Sequence, residues 1–449
     1  MGILTLGFML SSVWLQAHAR SSTNVIIIRN ATVIDAGGGQ SRASQRLVIE
    51  GSRIAAVEEE GRGEVPANAL LIDAAGKYVI PGLWDMHIHL YATKASALPA
   101  LVANGVTGVR DLGGLLREID EWRVRIDSGS MIGPRIVRCG PMLNGREFGI
   151  QQIAVMNESE ARGAVRALQR SGVDFVKVHR AISREAYFGA LAECRKLGIP
   201  LVGHIPNTVT PAEASDAGQA CIEHVGTLFE GTFAAAHRDE PFAAALEHFS
   251  KASAPELFAR FASNRTVFTP TLVAHRMTTQ FGRAKPHERD RFVSRSAREL
   301  AAHIVTRDRD QLTSEFYERM EQQLAAALPL VKQMQQAGMR LLAGTDTGIA
   351  GTYPGFDLHD ELALLVSAGL TPMQALQSAT RNAAEFLQDS HSGLVAPGRR
   401  ADLVLLEADP LEDIRNTRKI SAVVVGGRFL DRSALDRLLL EAEQAAQKE

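Results

Sequence analysis

Cysteine is scarce: Cys139, Cys194 and Cys221 are the three in 449 residues. So few thiols, so widely spaced, exclude a disulfide scaffold and a thiolate zinc site, and each reads as a buried inert thiol. An excess of one charge is also missing. With 49 basic and 51 acidic residues, the formal net charge is −2, which argues against a nucleic-acid face or a field for a cationic partner. Beyond residue 19 no uncharged apolar run approaches the ~20 residues of a membrane span. The stretch 1–19 has an apolar centre at 3–15, then Ala17-His18-Ala19, a small-x-small cleavage pattern. It reads as an export signal peptide cut near Ala19, which places the mature protein in the bacterial periplasm or outside the cell, free of the membrane. The chain is 45% hydrophobic and 22% charged, a globular composition with enough apolar residues for a sizeable core.

Short β-rich segments at 25–28, 47–49, 53–57 and 70–72 are punctuated by Gly37-Gly38-Gly39, Gly51 and Gly76. The same texture returns at 403–406 and 422–425 before Gly426-Gly427. These ends predict a composite β-sandwich domain from 20–80 and 391–431, with a C-terminal helix over 432–449. The middle differs. Eight apolar segments, at 78–83, 106–110, 135–138, 175–178, 200–203, 220–223, 267–269 and 340–343, alternate with helical stretches such as 158–169, 184–196 and 255–262. That alternation predicts an α/β fold, a (β/α)8 TIM-type barrel over 81–385. The charged helical stretch 275–335 brings the region above the ~250 residues usual for such a barrel. It is assigned as an insertion placed to cover the mouth, and its mixed-sign run from Arg283 to Arg291 reads as a solvated face. Thr371-Pro372 marks a helix start.

The first strand leads into Asp85-Met86-His87-Ile88-His89. Residues i and i+2 of an extended strand share a side, so both imidazoles can reach one ion. Lys177 ends the fourth strand, His204 the fifth, His224 the sixth and Asp346 the eighth. Strand ends of a barrel converge on one mouth. Four histidines and an aspartate there make an N/O donor set suited to Zn²⁺ or a similar divalent ion.

The chain resembles the amidohydrolase superfamily, in the branch of imidazolonepropionase and the prolidase-like (Xaa-Pro or Xaa-Lys/Arg) dipeptidases. The resemblance runs from Asn30-Ala31-Thr32-Val33-Ile34-Asp35 to Val423-Val424-Val425-Gly426-Gly427. It is carried by the 79–89 stretch (VIPGLWDMHIH), the His204 and His224 pair, Ala343-Gly344-Thr345-Asp346, the 369–384 segment, and Pro397-Gly398-Arg399-Arg400-Ala401-Asp402-Leu403. It implies two Zn²⁺ or similar ions. His87, His89 and Asp346 would hold the buried one, His204 and His224 the outer one, and Lys177 would bridge both as a CO₂-derived carbamate (N6-carboxylysine). It further implies amide or peptide hydrolysis by a metal-bridging hydroxide, with Asp346 as general base and then general acid.

The expected substrate is a dipeptide or N-acyl amino acid, as a small molecule. Another substrate class at the same site (an aromatic amide such as a mycotoxin, a lactone or a carbamate) and a non-catalytic binding barrel are the alternatives. The 144–149 loop, Asn-Gly-Arg-Glu-Phe-Gly, departs from the Gly-Gly-His-Gly type of the resemblance. Arg146 in it is assigned to a substrate carboxylate, which an arginine fork suits. His179 and His275 are assigned to substrate contact or support, with His359 as a further candidate. Arg110-Asp111 reads as a structural ion pair. Self-association is left open.

Overall fold

A computed structural model describes residues 25–146, 149 and 151–449. The expected signal peptide lies outside them. The chain opens with β1 (Val25–Val33), β2 (Arg42–Glu50), β3 (Arg53–Glu59), β4 (Leu70–Asp73) and β5 (Tyr78–Pro81). The central α/β region carries β6 (Leu83–Ile88), β7 (Val106–Asp111), β8 (Arg135–Arg138), β9 (Met142–Asn144), β10 (Gln152–Ala154), β11 (Val176–Val178), β12 (Leu201–Gly203), β13 (Cys221–Glu223) and β14 (Val267–Thr269). The last strands are β15 (Leu403–Leu406), β16 (Ile420–Val425) and β17 (Arg428–Asp431).

Both chain ends meet in one eight-stranded sheet of order β17-β16-β15-β5-β1-β2-β3, with β4 alongside β1. Ile28, Val33, Leu47, Ile49, Val79, Leu403, Leu405 and Val424 form its own core. The central strands are parallel, in the orders β6-β7-β8 and β10-β9-β11-β12-β13-β14. Most of them are buried along their whole length, as expected where helices cover both faces. Helix caps follow the sequence. Asn157 and Ser183 cap the helices Glu158–Arg170 and Arg184–Leu197, and Thr371 forms a capping box with Gln374 ahead of Pro372.

Several expectations need correction. The segment 78–83 is not one barrel strand. Residues Tyr78–Pro81 pair with β1 and β15 in the end sheet, and the parallel set begins at Leu83. Gly82 makes the break, because a Cβ there would collide with the Thr107 side chain. The segment 340–343 forms no ladder. Instead 340–347 runs between β14 and β6, with one parallel bridge to each, Phe268 to Leu341 and Ile88 to Thr347. The pair β9 and β10 lies where only a loop was expected. The limits 275 and 335 fall inside the helices Leu272–Thr278 and Ser314–Gln336. The second of these buries Ala327, Leu330, Val331 and Met334 in the main core. Between them, helix Arg295–Arg307 buries no residue. The charged run before it is only partly a solvated face. Arg289 lies 3.2 Å from Asp360 and 3.5 Å from Asp357, and the Tyr353 hydroxyl donates to Asp290 at 2.9 Å.

Candidate metal centre

His87 lies inside β6 and His89 just past it, and Nε2 of each approaches Oδ1 of Asp346, at 3.3 and 3.1 Å. The three residues bring one ligand atom each within 4.8 Å of one another. Lys177, in β11, places Nζ 3.3 Å from Nε2 of His87. His224 follows β13, with its ring 4.5 Å from that of His87 and Nδ1 3.8 Å from Oδ2 of Asp346. His204 follows β12, its ring 4.7 Å from His224. The six residues expected at the strand ends are thus linked by successive contacts, and His87, His89 and Asp346 among them form the compact group.

Strand geometry alone does not explain this convergence. Consecutive side chains of a strand point to opposite faces, yet Glu223 and His224 both face the centre. His224 has φ +66° and Asp346 φ +56°, positive-φ positions that interrupt the alternation of a regular strand. Each such position costs a non-glycine residue about 1–2 kcal/mol. The Asp346 backbone is tied down on both sides. Its N–H donates to the His87 carbonyl at 2.8 Å, and Thr345 donates from N and Oγ1 to Asp85 at 3.0 and 2.6 Å. Gly344 permits the approach, since a Cβ there would stand 2.8 Å from that of His87.

Burial holds His87 and His204 well below the usual imidazole value, and lowers His89 and His224 as well. The rings are therefore neutral, with lone pairs available. Burial also lowers the Lys177 ammonium against the pull of Asp346. For Asp346, burial works to raise the pKa, but His224 and His89 outweigh it and keep the group a carboxylate. Burial pushes Asp85 up to about 7.

This donor set fits a divalent cation. The buried Asp346 Oδ1, which faces Nε2 of His87 and of His89, has no hydrogen-bond partner among the described residues. A tetrahedral ion with bonds of about 2.1 Å holds its ligand atoms ~3.4 Å apart, close to the two separations to Asp346 Oδ1.

Beneath the histidines, Glu223 bonds Nδ1 of His87 through Oε2 at 2.9 Å and accepts from Arg110 Nη2 on Oε1 at 2.7 Å. This corrects the Arg110-Asp111 pairing: Asp111 instead accepts from the Leu90 N–H at 2.8 Å. Sequence reasoning missed Glu223 and Thr271, whose hydroxyl meets Nδ1 of His224 at 2.9 Å. A carboxylate at the end of a core strand was the available signal for the first.

His179 packs its ring 4.4 Å from His204 and, with Arg146, Arg180, Arg307 and Asn144, lines a cavity of about 300 Å³. Burial pushes the His179 imidazole down to about 3. His275 is pushed down to about 4 by burial and by the neighbouring His224, and its Nε2 is buried without a partner among the described residues. His359 is excluded from the site: its ring nitrogens meet Thr417 Oγ1 at 2.9 Å and the Asn104 carbonyl at 3.1 Å. A cavity of about 400 Å³ lined by Arg135, Arg400, Asp402 and Arg428 contains none of these histidines, so donor chemistry rather than volume locates the site. The three cysteines are buried free thiols.

Residues 78–430 match the model of the amidohydrolase family. Among curated proteins, adenine deaminase 2 of Rhizobium meliloti (strain 1021) is 26% identical over 423 residues, 90% of this chain and 56% of that protein. The present chain thus spans little more than half the length of that relative. Ochratoxinase of Aspergillus niger is 24% identical over 452 residues, 89% of this chain and 84% of that one. Among solved structures, a bottromycin amidohydrolase superposes with TM-score 0.72 at 24% identity, covering 94% of this chain and 90% of the other. A Xaa-Pro dipeptidase with methionine bound in its active site gives 0.69 at 20%, covering 91% and 100%. Likeness at these identities shows the fold, and the family match takes in well over half of the sequence. The chain belongs to the amidohydrolase family.

Proposed function

We propose that the protein is an exported, binuclear metal-dependent hydrolase that cleaves the amide bond of a dipeptide or an N-acyl amino acid. The observation that carries this reading is the cluster of His87, His89 and Asp346, with ligand atoms within 4.8 Å, on and just past β6 and on the 340–347 segment beside it. The architecture that suits it is a (β/α)8 ring in which 340–347 closes the gap between β14 and β6, flanked by the single eight-stranded sheet of both chain ends, which takes the place of the expected sandwich. His87, His89 and Asp346 would hold one ion, His204 and His224 a second, and Lys177 both, once its amine carries CO₂ as a carbamate. A neutral lysine has one lone pair, whereas a carbamate offers two anionic oxygens. Bound zinc or a similar ion would supply a Lewis acid for the scissile carbonyl and a lowered pKa for attacking water.

The chain's own groups do the rest. The Asp346 carboxylate takes the proton of the attacking water and returns it to the amine as the C–N bond breaks. Its backbone bond to the His87 carbonyl keeps it in place between turnovers. His179, beside His204, and His275, near His224, would contact or support the substrate, and Arg146 in the cavity beside His179 suits a substrate carboxylate. The solved Xaa-Pro dipeptidase supports the dipeptide reading. The ochratoxinase likeness favours an aromatic amide as the second one.

Elemental analysis after Zn²⁺ loading, with a panel of dipeptides, N-acyl amino acids, ochratoxin, lactones, carbamates and adenine, tests both. Bound zinc with turnover of dipeptides or N-acyl amino acids supports the proposal. Turnover confined to ochratoxin moves it to the second reading. Protein that takes up no zinc and hydrolyses nothing is a binding module.

A further inference from the structure

His87, Glu223 and Arg110 all have side chains closed to solvent. Burying a guanidinium and a carboxylate this deeply is unfavourable unless their attraction and hydrogen bonds offset the lost hydration. The pair is built around one ring. Arg110 Nε donates to the carbonyl of Met86 at 2.6 Å, gripping the backbone immediately before His87, and Nη2 donates to Glu223 Oε1 and to Thr269 Oγ1, at 2.7 and 3.2 Å. The other carboxylate oxygen faces Nδ1 of His87 at 2.9 Å. An ionised carboxylate only accepts, so Nδ1 must carry the ring proton, leaving the lone pair on Nε2. That nitrogen is the one 3.3 Å from Asp346 Oδ1 and from Lys177 Nζ.

Neighbouring rings are held differently. Nδ1 of His89 and of His204 meets no partner among the described residues. Nδ1 of His224 meets a hydroxyl, which donates or accepts with equal ease. Among these four histidines, His87 is the one whose tautomer is dictated by a charge.

We propose that Glu223, clamped by Arg110, is a positioning residue that fixes His87 as the Nδ1–H tautomer with Nε2 presented to the metal, so that the centre is preorganised before any ion arrives. The inference rests on the reading of His87 as a metal ligand. Such partners of ligating histidines typically govern about 10- to 100-fold in metal affinity.

Co²⁺ titration of the metal-stripped full chain, followed by visible absorption and equilibrium dialysis, tests it. Three proteins are compared: wild type, Glu223→Gln, and the double variant Arg110→Met with Glu223→Gln. In the single variant one amide oxygen must serve two donors, Arg110 and His87. Its affinity for Co²⁺ is expected to fall by about 10- to 100-fold, with an altered ligand-field band and an unchanged far-ultraviolet circular dichroism spectrum. Removing the guanidinium frees the Gln oxygen for His87, so the double variant should recover much of the lost affinity. Wild-type affinity and spectrum in a folded Glu223→Gln protein would overturn the proposal. So would a double variant that binds no better than the single one. If Glu223→Gln does not fold, Glu223→Asp takes its place under the same criterion. Failure of the wild type itself to bind Co²⁺ defeats the metal reading beneath it, which separates the two.

Discussion

The hydroxyl of Thr271 lies 2.9 Å from Nδ1 of His224, and it reaches there from a backbone at φ 49° and ψ 49°. A β-branched residue in the left-handed region is strained by about 1–2 kcal/mol, and here the strain delivers one oxygen to one imidazole. Thr271→Val keeps the branching, and with it the backbone cost, while deleting the oxygen. The metal-free variant should lose about 1 kcal/mol in urea denaturation and bind Zn²⁺ more weakly. Unchanged values in both assays would reduce the contact to packing.

Asp346 combines a left-handed backbone with the proposed proton transfer. Asparagine tolerates that conformation better than most residues, so Asp346→Asn spares the backbone while removing the carboxylate, and metal content by elemental analysis separates loss of the ion from loss of proton transfer. Its kcat is expected to fall by about 10²- to 10⁴-fold, with the circular dichroism spectrum retained. A kcat within a factor of two or so of wild type, on a substrate whose chemical step limits turnover, would remove Asp346 from proton transfer.

Lys177 is a test of ion number. Lys177→Ala should lose at least one ion per chain by elemental analysis and more than about 100-fold in kcat/KM. In the wild type, reconstitution with Zn²⁺ should be more complete in bicarbonate than in CO₂-free buffer. Full metal content and activity in the alanine variant would refute the carbamate bridge.

Glu361 offers a pH signature away from the proposed metal ligands. Its Oε2 accepts the Val273 N–H at 2.7 Å, and burial raises its pKa from 4.5 to about 8. The folded state therefore holds a proton that the unfolded chain gives up near pH 4.5. This group's contribution is full below that pH and is lost as pH rises toward 8. Glu361→Gln keeps an acceptor without the titration. It should exceed the wild type in stability by more than about 1 kcal/mol at pH 9 and converge with it near pH 5, as measured by denaturation across that range. Parallel profiles would show that Glu361 is not protonated in the fold.

The meeting of His87, His89 and Asp346 was legible because short apolar segments ending in His or Asp leave few other places for those residues to meet. The pairing of both chain ends was legible for a related reason, since β-rich texture recurs at 25–72 and 403–425. What escaped was tertiary. Glu223 looks like any strand residue until Arg110 and His87 are placed beside it. The positive-φ positions at His224 and Asp346 use non-glycine residues, so no glycine advertises them. The apolar pattern runs unbroken through Gly82, which hid the change of sheet there. The helix Ser314–Gln336 is amphipathic whichever layer it covers, so periodicity could not show that it belongs to the core.

Because β15 lies against β5, with Leu403 opposite Pro81 and Leu406 opposite Tyr78, the first and second halves of the polypeptide are stitched by main-chain bonds one residue from where β6 sets out toward His87. The surface stretch 282–288 is exposed and lies between His87 and Asp346 in the chain. A protease that severed the backbone there would yield two fragments on a denaturing gel and a single particle in native chromatography, with the ligands from each fragment still facing one another. On that expectation the protein's integrity is a matter of the seam between its ends more than of covalent continuity through its middle.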